Sequence, residues 1–549
     1  MTRSAKRAIS QRVVLAGAIA LVTSLTYLGS LNGEFVADDL QMVLPNTLLD
    51  SLDAQNIKQI FSSFDDANYM PLKVLSLAVD RAVWGPEPFG HHVTNLLLHI
   101  GCALVIFSIV LCMGVSRGAA FFVALVWAVH PLQVESVAWI SERKNVLSGF
   151  FFFAAFRAYL AFSERPRALT YAVTLFVYSL ALLSKMNALV LPAVCLAFEA
   201  TFRMRIRWRD LGAAAPMFAL GALTAWYNLS GSPTHGGAYH GGSAIVTWLS
   251  STVVVFRYLL HTVLPIGLTS RYDVPLRGSP FDPAVFASLL GLVAIAALTF
   301  WLIRRKKHEA FWILWFVITL APMLNIIPFR SMMQDRYMYL ALLGPVALAG
   351  SVMDRLAQPG ARRAAAVAAS VAVLACVMLT ARQVEYWSSS VSFWVRDATV
   401  RPLYANEAIY RPKSYPGKLA HLEAAVRDDP DNPMLLNNLG GLHFMAGRVP
   451  QALSYFEESN ELNPGEPFNL INLGRVYTRL GRLDEAERAL TRATELRPYN
   501  FMACYYLLRL NLKSRDVAKA RRTLDECAEL HVGLERERQE LRQLELRQP

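Results

Sequence analysis

DNPMLLNNLGGLHFMAGRVPQALSYFEESNELNP, residues 431–464, returns one period later as GEPFNLINLGRVYTRLGRLDEAERALTRATELRP, residues 465–498. Pro430, Pro464 and Pro498 recur every 34 residues. Asn438 and Asn472 keep that spacing, as do Leu439, Leu473 and Leu507, Gly440 and Gly474, Gly447 and Gly481, and Ala452, Ala486 and Ala520. Small residues at fixed places let paired helices approach, glycine marks the turn and proline ends the unit. The period therefore predicts a stack of helical hairpins, an α-solenoid with a concave face for a partner.

The 34-residue period, with glycine at the turn and proline at the end, is the tetratricopeptide signature. Three repeats are expected at about 431–464, 465–498 and 499–532, with a polar capping helix over 533–549. Together they form a domain over 417–549, joined by a linker, 401–416, to a first domain over 1–400.

That first domain reads differently. The 549 residues are 54% hydrophobic and only 17% charged, with a mean hydropathy of +0.32, against about 25% charged in ordinary soluble domains. Apolar stretches lie at about 13–31, 92–113, 117–131, 145–162, 169–184, 187–202, 211–229, 245–265, 284–303, 309–328, 338–353 and 364–380. A bilayer core takes about 20 helical residues, so most of these are candidate spans. The net charge of +12 sits in short loops beside them. Arg3, Lys6, Arg7 and Arg12 precede the first; Arg203, Arg205, Arg207 and Arg209, then Arg304, Arg305, Lys306 and Lys307, mark two later loops. This is positive-inside patterning and argues against nucleic acid as a partner.

Both later basic loops belong to the cytoplasmic side, so an even number of spans joins them. Three apolar stretches lie between, and 245–265, with Arg257 and His261, is the one best read as re-entrant or interfacial. The expected fold is all-α: a polytopic bundle of about 11 spans followed by the solenoid. The N-terminus, with its span-length apolar run, is an uncleaved anchor on the cytoplasmic side. The repeat domain then lies on the periplasmic side of a bacterial inner membrane. The loop 32–90 is external and carries an amphipathic stretch, Pro71 to Trp84, expected at the interface.

Six cysteines form no CxxC pair and no cluster with histidine. A bond between Cys504 and Cys527 is an open alternative if the tail is extracytoplasmic.

Ionisable residues at membrane depth usually mark function. Asp38 and Asp39 follow the first span at the external interface; a carboxylate there can deprotonate a hydroxyl, or the pair can hold a divalent metal. The alternative is that they are solvated interface charges. His91, His92, His99 and His130 lack the spacing of a zinc site, and hydrogen bonding inside the bundle accounts for His99 and His130. Glu135, Glu142, Arg143 and Lys144 face outward, against the charge bias, as do Lys185, Arg330, Arg336 and Tyr337. Converging cations suit a lipid-linked phosphate; a lone lysine at a span end snorkels instead.

The order of these segments resembles the TMTC-type membrane proteins, whose multi-span region resembles the GT-C glycosyltransferases. The matching stretches are Phe35-Val36-Ala37-Asp38-Asp39, Tyr69-Met70-Pro71-Leu72 and His92-Val93-Thr94-Asn95-Leu96-Leu97-Leu98-His99. They continue with His130-Pro131-Leu132-Gln133-Val134-Glu135-Ser136-Val137, Leu183-Ser184-Lys185 and Gln334-Asp335-Arg336-Tyr337-Met338-Tyr339-Leu340. The resemblance implies an inverting transfer of sugar from a polyprenyl-phosphate donor to an acceptor hydroxyl on the periplasmic side. It implies Asp38 as general base with Asp39 beside it, and Glu135, Arg143, Lys144, Lys185 and Arg336 lining the site or binding the donor phosphate. The chain departs from the family at Met70, where an arginine is common, and at Met186, where eukaryotic members often carry an acid. Two other readings stand beside the transferase: a non-catalytic scaffold whose repeats dock a protein or peptide, and a flippase of lipid-linked glycans. No internal inverted repeat speaks for the flippase.

Overall fold

The computed structural model describes residues 3–43, 46–65, 68–231, 239–270, 272, 274–329, 331–356 and 358–388 of the N-terminal part. Beyond these it describes 419, 422–423, 426–427, 429–496, 501–530 and 535–546. Two compact units emerge, one of Met1–Leu44 with Leu48–Ser388 and one carrying the repeats from Ser389 onward. The linker placed at 401–416 lies outside the described residues.

Among the described residues, five helices are long and apolar enough to cross a membrane: Pro88–Cys112, Ile140–Glu164, Ala244–Val263, Pro283–Arg304 and Pro359–Tyr386. Two bent pairs raise the number to seven, and four shorter apolar helices accompany them: Ser10–Thr26, Ala168–Ser184, Met186–Phe202 and Glu309–Met323. The chain is a multi-pass, all-α membrane protein. Ala244–Val263, read as re-entrant from its charges, is an unbroken 20-residue helix, so its length allows a full crossing.

Local chemistry sets where these helices begin. Pro71, Pro88, Pro283 and Pro359 occupy first-turn positions, where a missing N–H costs nothing. Asp282 caps Pro283–Arg304 by accepting from Ala284 N–H at 3.0 Å and Val285 N–H at 3.3 Å. Inside the helices, hydroxyls such as Thr23 (to Ile19 O, 2.7 Å) and Thr319 (to Trp315 O, 2.6 Å) satisfy themselves on the preceding turn, as a water-free bilayer demands.

The two bends matter most for function. Arg117–Ala128 meets Pro131–Ala138 at 50°. Pro131 has no N–H to continue the helix, and the His130 side chain accepts from Leu132 N–H at 3.2 Å to start the next turn. Asp335–Ala341 meets Leu343–Asp354 at 47°. Each bend turns a short polar segment inward, the first with Glu135 and the second with Arg336.

The loop after the first span carries two regular helices of its own. Ala54–Ser62 is capped by Asp53, which accepts from Asn56 N–H at 2.8 Å. Pro71–Trp84 is amphipathic as expected: Val74, Leu77 and Ala78 pack with Ile60 and Ile140, while Val83 and Trp84 are exposed.

In the repeat unit, Pro433–Met445 pairs with Val449–Leu462, Pro467–Leu480 with Leu483–Leu496, and Phe501–Lys513 with Val517–Leu530. Glu535–Glu545 follows as the final helix; 533–534 and 547–549 of the expected capping helix lie outside the described residues. Pro498, one of the three in-register prolines, lies outside the described residues. Gly481 ends its helix at φ 77°, a conformation that favours glycine. At Gly474 a Cβ would stand 2.4 Å from Leu490 Cγ, which is why the paired helices need a small residue there. Cys504 and Cys527 are joined by a disulfide across the third hairpin, with Cα atoms 5.7 Å apart.

Candidate active site

The site assembles from five places in the chain: the loop after the first span, the two inward bends, the N-terminal turn of Arg143–Glu164 and the break after Ser184. Its centre is Glu142, fully buried, toward which three basic side chains converge. Lys144 Nζ lies 3.0 Å from Glu142 Oε1, Arg336 Nε lies 3.4 Å from the same oxygen, and Lys185 Nζ lies 3.9 Å from Oε2. Asn145 joins the cluster on both sides, donating to Glu142 Oε2 at 2.6 Å and accepting from Lys185 Nζ at 2.6 Å. Lys144, Lys185 and Arg336 each keep 17–19% of their side chain exposed, so the cations reach an outer surface while the acids behind them do not.

Glu135 backs the guanidinium. Arg336 donates to it twice, from Nη1 at 2.5 Å and from its own backbone N–H at 2.8 Å. The Arg336 guanidinium also stands 5.1 Å from the Trp139 ring and 6.0 Å from that of Tyr337. A planar cation held by a carboxylate and an aromatic face is far better oriented than a lysine would be.

The two aspartates divide their work. Asp39 is buried, and all its bonds turn inward: Oδ1 accepts from the backbone N–H of Ser141 at 2.7 Å and also from its hydroxyl, and Oδ2 accepts from Val36 N–H at 3.1 Å. Burial pushes its carboxyl up to about 7, against the pull of those hydrogen bonds. Asp39 thus clamps the first loop to the segment that carries Glu142. Asp38 is half-buried and lies within electrostatic reach of both Lys144 and Arg336. Ala37, just before the pair, is held at φ 49°, a conformation that costs an L-residue about 1–2 kcal/mol. Strain of this kind persists where surrounding contacts over-determine the backbone.

Lys185 sits at the break between Ala168–Ser184 and Met186–Val190. Burial pushes its ammonium down to about 7; Glu142 opposes this, while Lys144 and Arg336 add to it.

Other residues singled out in the sequence lie elsewhere. Arg143 is fully buried and turns away from Glu142. Its Nη2 lies 2.5 Å from Asp80 Oδ2 and donates to His91 O at 2.8 Å, and its Nε donates to Asn95. Its position beside Lys144 in sequence suggested a phosphate ligand, but one helical step sends neighbours to different faces. His99 bonds the Tyr339 hydroxyl at 3.0 Å and Ala128 O at 2.8 Å, and His130 bonds Thr262 O at 3.1 Å; both are bundle struts. Tyr337 lends a ring beneath Arg336, and its hydroxyl donates to Ser331 O at 3.4 Å. Arg330 lies outside the described residues.

Asp39 spends both oxygens on protein donors, and among the described residues no three or more His, Cys, Asp or Glu side chains are grouped to hold an ion.

Sequence reasoning missed Ser141, Asn145, Trp139 and Asp335. Asp335, next to Arg336, accepts from the Tyr272 hydroxyl at 2.5 Å. Ser141, Asn145 and Trp139 carry no periodic or charge signal; Asp335 is charged but was overshadowed by Arg336 beside it. Asp335 and Ser141 stood inside or beside quoted stretches, the only hint available.

Tetratricopeptide-repeat family models match residues 431–498 and 471–529. The protein O-mannosyl-transferase TMTC1 of Mus musculus is 31% identical over 223 residues, covering 35% of this chain and 24% of the relative. TMTC3 of Homo sapiens is 26% identical over 191 residues, covering 32% and 20%, and human TMTC4 is 29% identical over 187 residues, covering 30% and 25%. The chain spans about a quarter of the length of these relatives. An Archaeoglobus fulgidus oligosaccharyltransferase tethered to an acceptor peptide aligns at TM-score 0.42 and 12% identity, over 78% of this chain and 59% of that one. ArnT of Cupriavidus metallidurans bound to undecaprenyl phosphate aligns at TM-score 0.37 and 14% identity, over 87% and 79%. The chain thus has a multi-pass membrane region followed by tetratricopeptide repeats and is similar, over about a third of its length, to the protein O-mannosyl-transferases TMTC1, TMTC3 and TMTC4.

Proposed function

We propose that the protein is an inverting membrane glycosyltransferase that moves a sugar from a polyprenyl-phosphate donor to an acceptor hydroxyl. The observation that carries this reading is the convergence of Lys144, Lys185 and Arg336 on Glu142, with Asp38 in electrostatic reach of two of them. Three cationic heads at a partly exposed rim, backed by buried acids, suit a phosphodiester whose lipid tail lies in the bilayer. The acceptor oxygen attacks the anomeric carbon, the bond from that carbon to the phosphate oxygen breaks, and the acceptor proton passes to the Asp38 carboxylate. The polyprenyl phosphate leaves with the bonding pair, and the cations stabilise the charge it gains.

The relatives named protein O-mannosyl-transferases favour mannose as the sugar and a protein as the acceptor. The repeat domain then recruits that protein. A periplasmic place for it, in a bacterial inner membrane, fits the disulfide between Cys504 and Cys527, since such bonds persist in oxidising compartments.

The test is sugar transfer in membranes from a polyprenyl-phosphate-mannose donor, wild type against Asp38→Asn at matched expression. Loss of a positioned general base costs about 10²–10⁴ in rate. Unchanged turnover removes Asp38 from the reaction. A wild-type protein that neither transfers sugar nor binds the donor is a scaffold.

A further inference from the structure

Trp387 follows directly on the last membrane helix, Pro359–Tyr386, one residue before the membrane unit ends at Ser388. A tryptophan at a span end ordinarily faces the headgroups as part of an aromatic belt. Trp387 is instead 1% exposed, and its ring stacks on Trp139 with centroids 5.2 Å apart and planes inclined by 25°. Trp139 is the ring beside which the Arg336 guanidinium stands, at 5.1 Å. The next residue makes a second connection: the carbonyl of Ser388 accepts from Glu34 N–H at 2.9 Å, four positions before Asp38. Two consecutive residues therefore reach both halves of the site, the cation through one aromatic ring and the aspartate loop through one backbone bond. Simple packing of a helix end explains a buried indole but not this pairing.

We propose that Trp387 is a positioning residue for donor binding, acting through Trp139 to hold the Arg336 guanidinium in the orientation that receives phosphate. The inference rests on the transferase reading and deepens it. A free arginine side chain must be ordered when its ligand arrives, whereas one already lodged between a carboxylate and a supported aromatic face has little freedom left to lose. Removing the ring behind Trp139 lets that indole shift, and the guanidinium shifts with it.

The experiment measures binding of polyprenyl phosphate to the full-length protein in nanodiscs. Trp387→Leu keeps apolar bulk and removes the stack; Trp387→Phe keeps an aromatic face. The expected result is about tenfold weaker binding for Trp387→Leu, within the range of a cation–aromatic contact, and recovery to within about twofold for Trp387→Phe. Trp387→Leu is also combined with Arg336→Gln. If Trp387 acts through Arg336, Trp387→Leu costs little further binding in the Arg336→Gln background, whereas a misfolded variant loses binding in either background. Wild-type binding together with unchanged binding in Trp387→Leu overturns the inference alone, as do effects that simply add in the double variant. Absence of binding by the wild type removes the transferase reading and this inference with it.

Discussion

Glu135 and Arg336 stand 201 residues apart in the chain and 2.5 Å apart in space, Oε1 to Nη1. Each sits on a polar segment displaced inward by a bend in an apolar helix, at 50° for one and 47° for the other. Without the bends both charges would lie along straight spans, where a lipid-facing carboxylate or guanidinium is costly.

Arg336→Lys keeps the charge and discards the fork. The lysine cannot bond Glu135, reach Glu142 and lie against Trp139 together. Donor affinity is expected to fall about tenfold while kcat changes less, as read from initial rates against donor concentration.

The aspartates separate by readout. Asp38→Asn lowers kcat with KM and melting temperature nearly unchanged. Asp39→Asn sets an amide N–H against the Val36 N–H or the Ser141 donors, leaves a buried donor unmatched, and costs about 1–3 kcal/mol of stability. Thermal melting in detergent beside the transfer assay distinguishes the two; equal melting temperatures for both variants refute the division of labour.

Lys185 sets a pH dependence. Its ammonium, pushed down to about 7, is charged below that pH and neutral above it, while a phosphodiester donor keeps its single negative charge throughout. Donor binding should weaken as pH rises through about 7. Lys185→Arg stays charged and should flatten the fall; a wild-type profile that is already flat there contradicts the assignment.

Arg143 tests the bundle rather than the reaction. Asp80→Asn leaves a fully buried guanidinium without its counter-charge and should destabilise the protein by about 3–5 kcal/mol. Donor affinity in the fraction that remains folded should be close to wild type. A selective loss of donor binding with a normal melting temperature would return Arg143 to the site.

In the repeat unit, Gly474→Leu places a side chain against Leu490, where even a Cβ has no room. The repeats should lose about 1–3 kcal/mol, seen as earlier proteolysis of the C-terminal part, with the membrane region unaffected.

Much of this was legible in the residues. The recurrence of Gly440 with Gly474 and of Ala452 with Ala486 announced the hairpins, since tight helix pairs leave room for nothing larger. Apolar length and flanking arginines announced the spans. Lys144, Lys185 and Arg336 stood out because charge is rare beside such helices. What stayed hidden was direction. Arg143 and Lys144 are neighbours in sequence, yet one helical step sends them to Asp80 and Glu142. Glu142 stood out only as one of several outward-facing charges, because nothing in a linear chain says that three distant cations converge on one acid. Trp139 and Trp387 carry no signal of their own in the sequence, and their stacking depends on contacts between segments some 250 residues apart.

Glu142 has one more effect. With three cations already leaning on a built-in anion, the cluster carries its own counter-ion. On the proposed reading, an arriving lipid phosphate would exchange into the set instead of filling a naked positive hole, and the gain on arrival would be only the difference between two anions. By the same reasoning the spent lipid would depart readily, because the carboxylate is there to take its place.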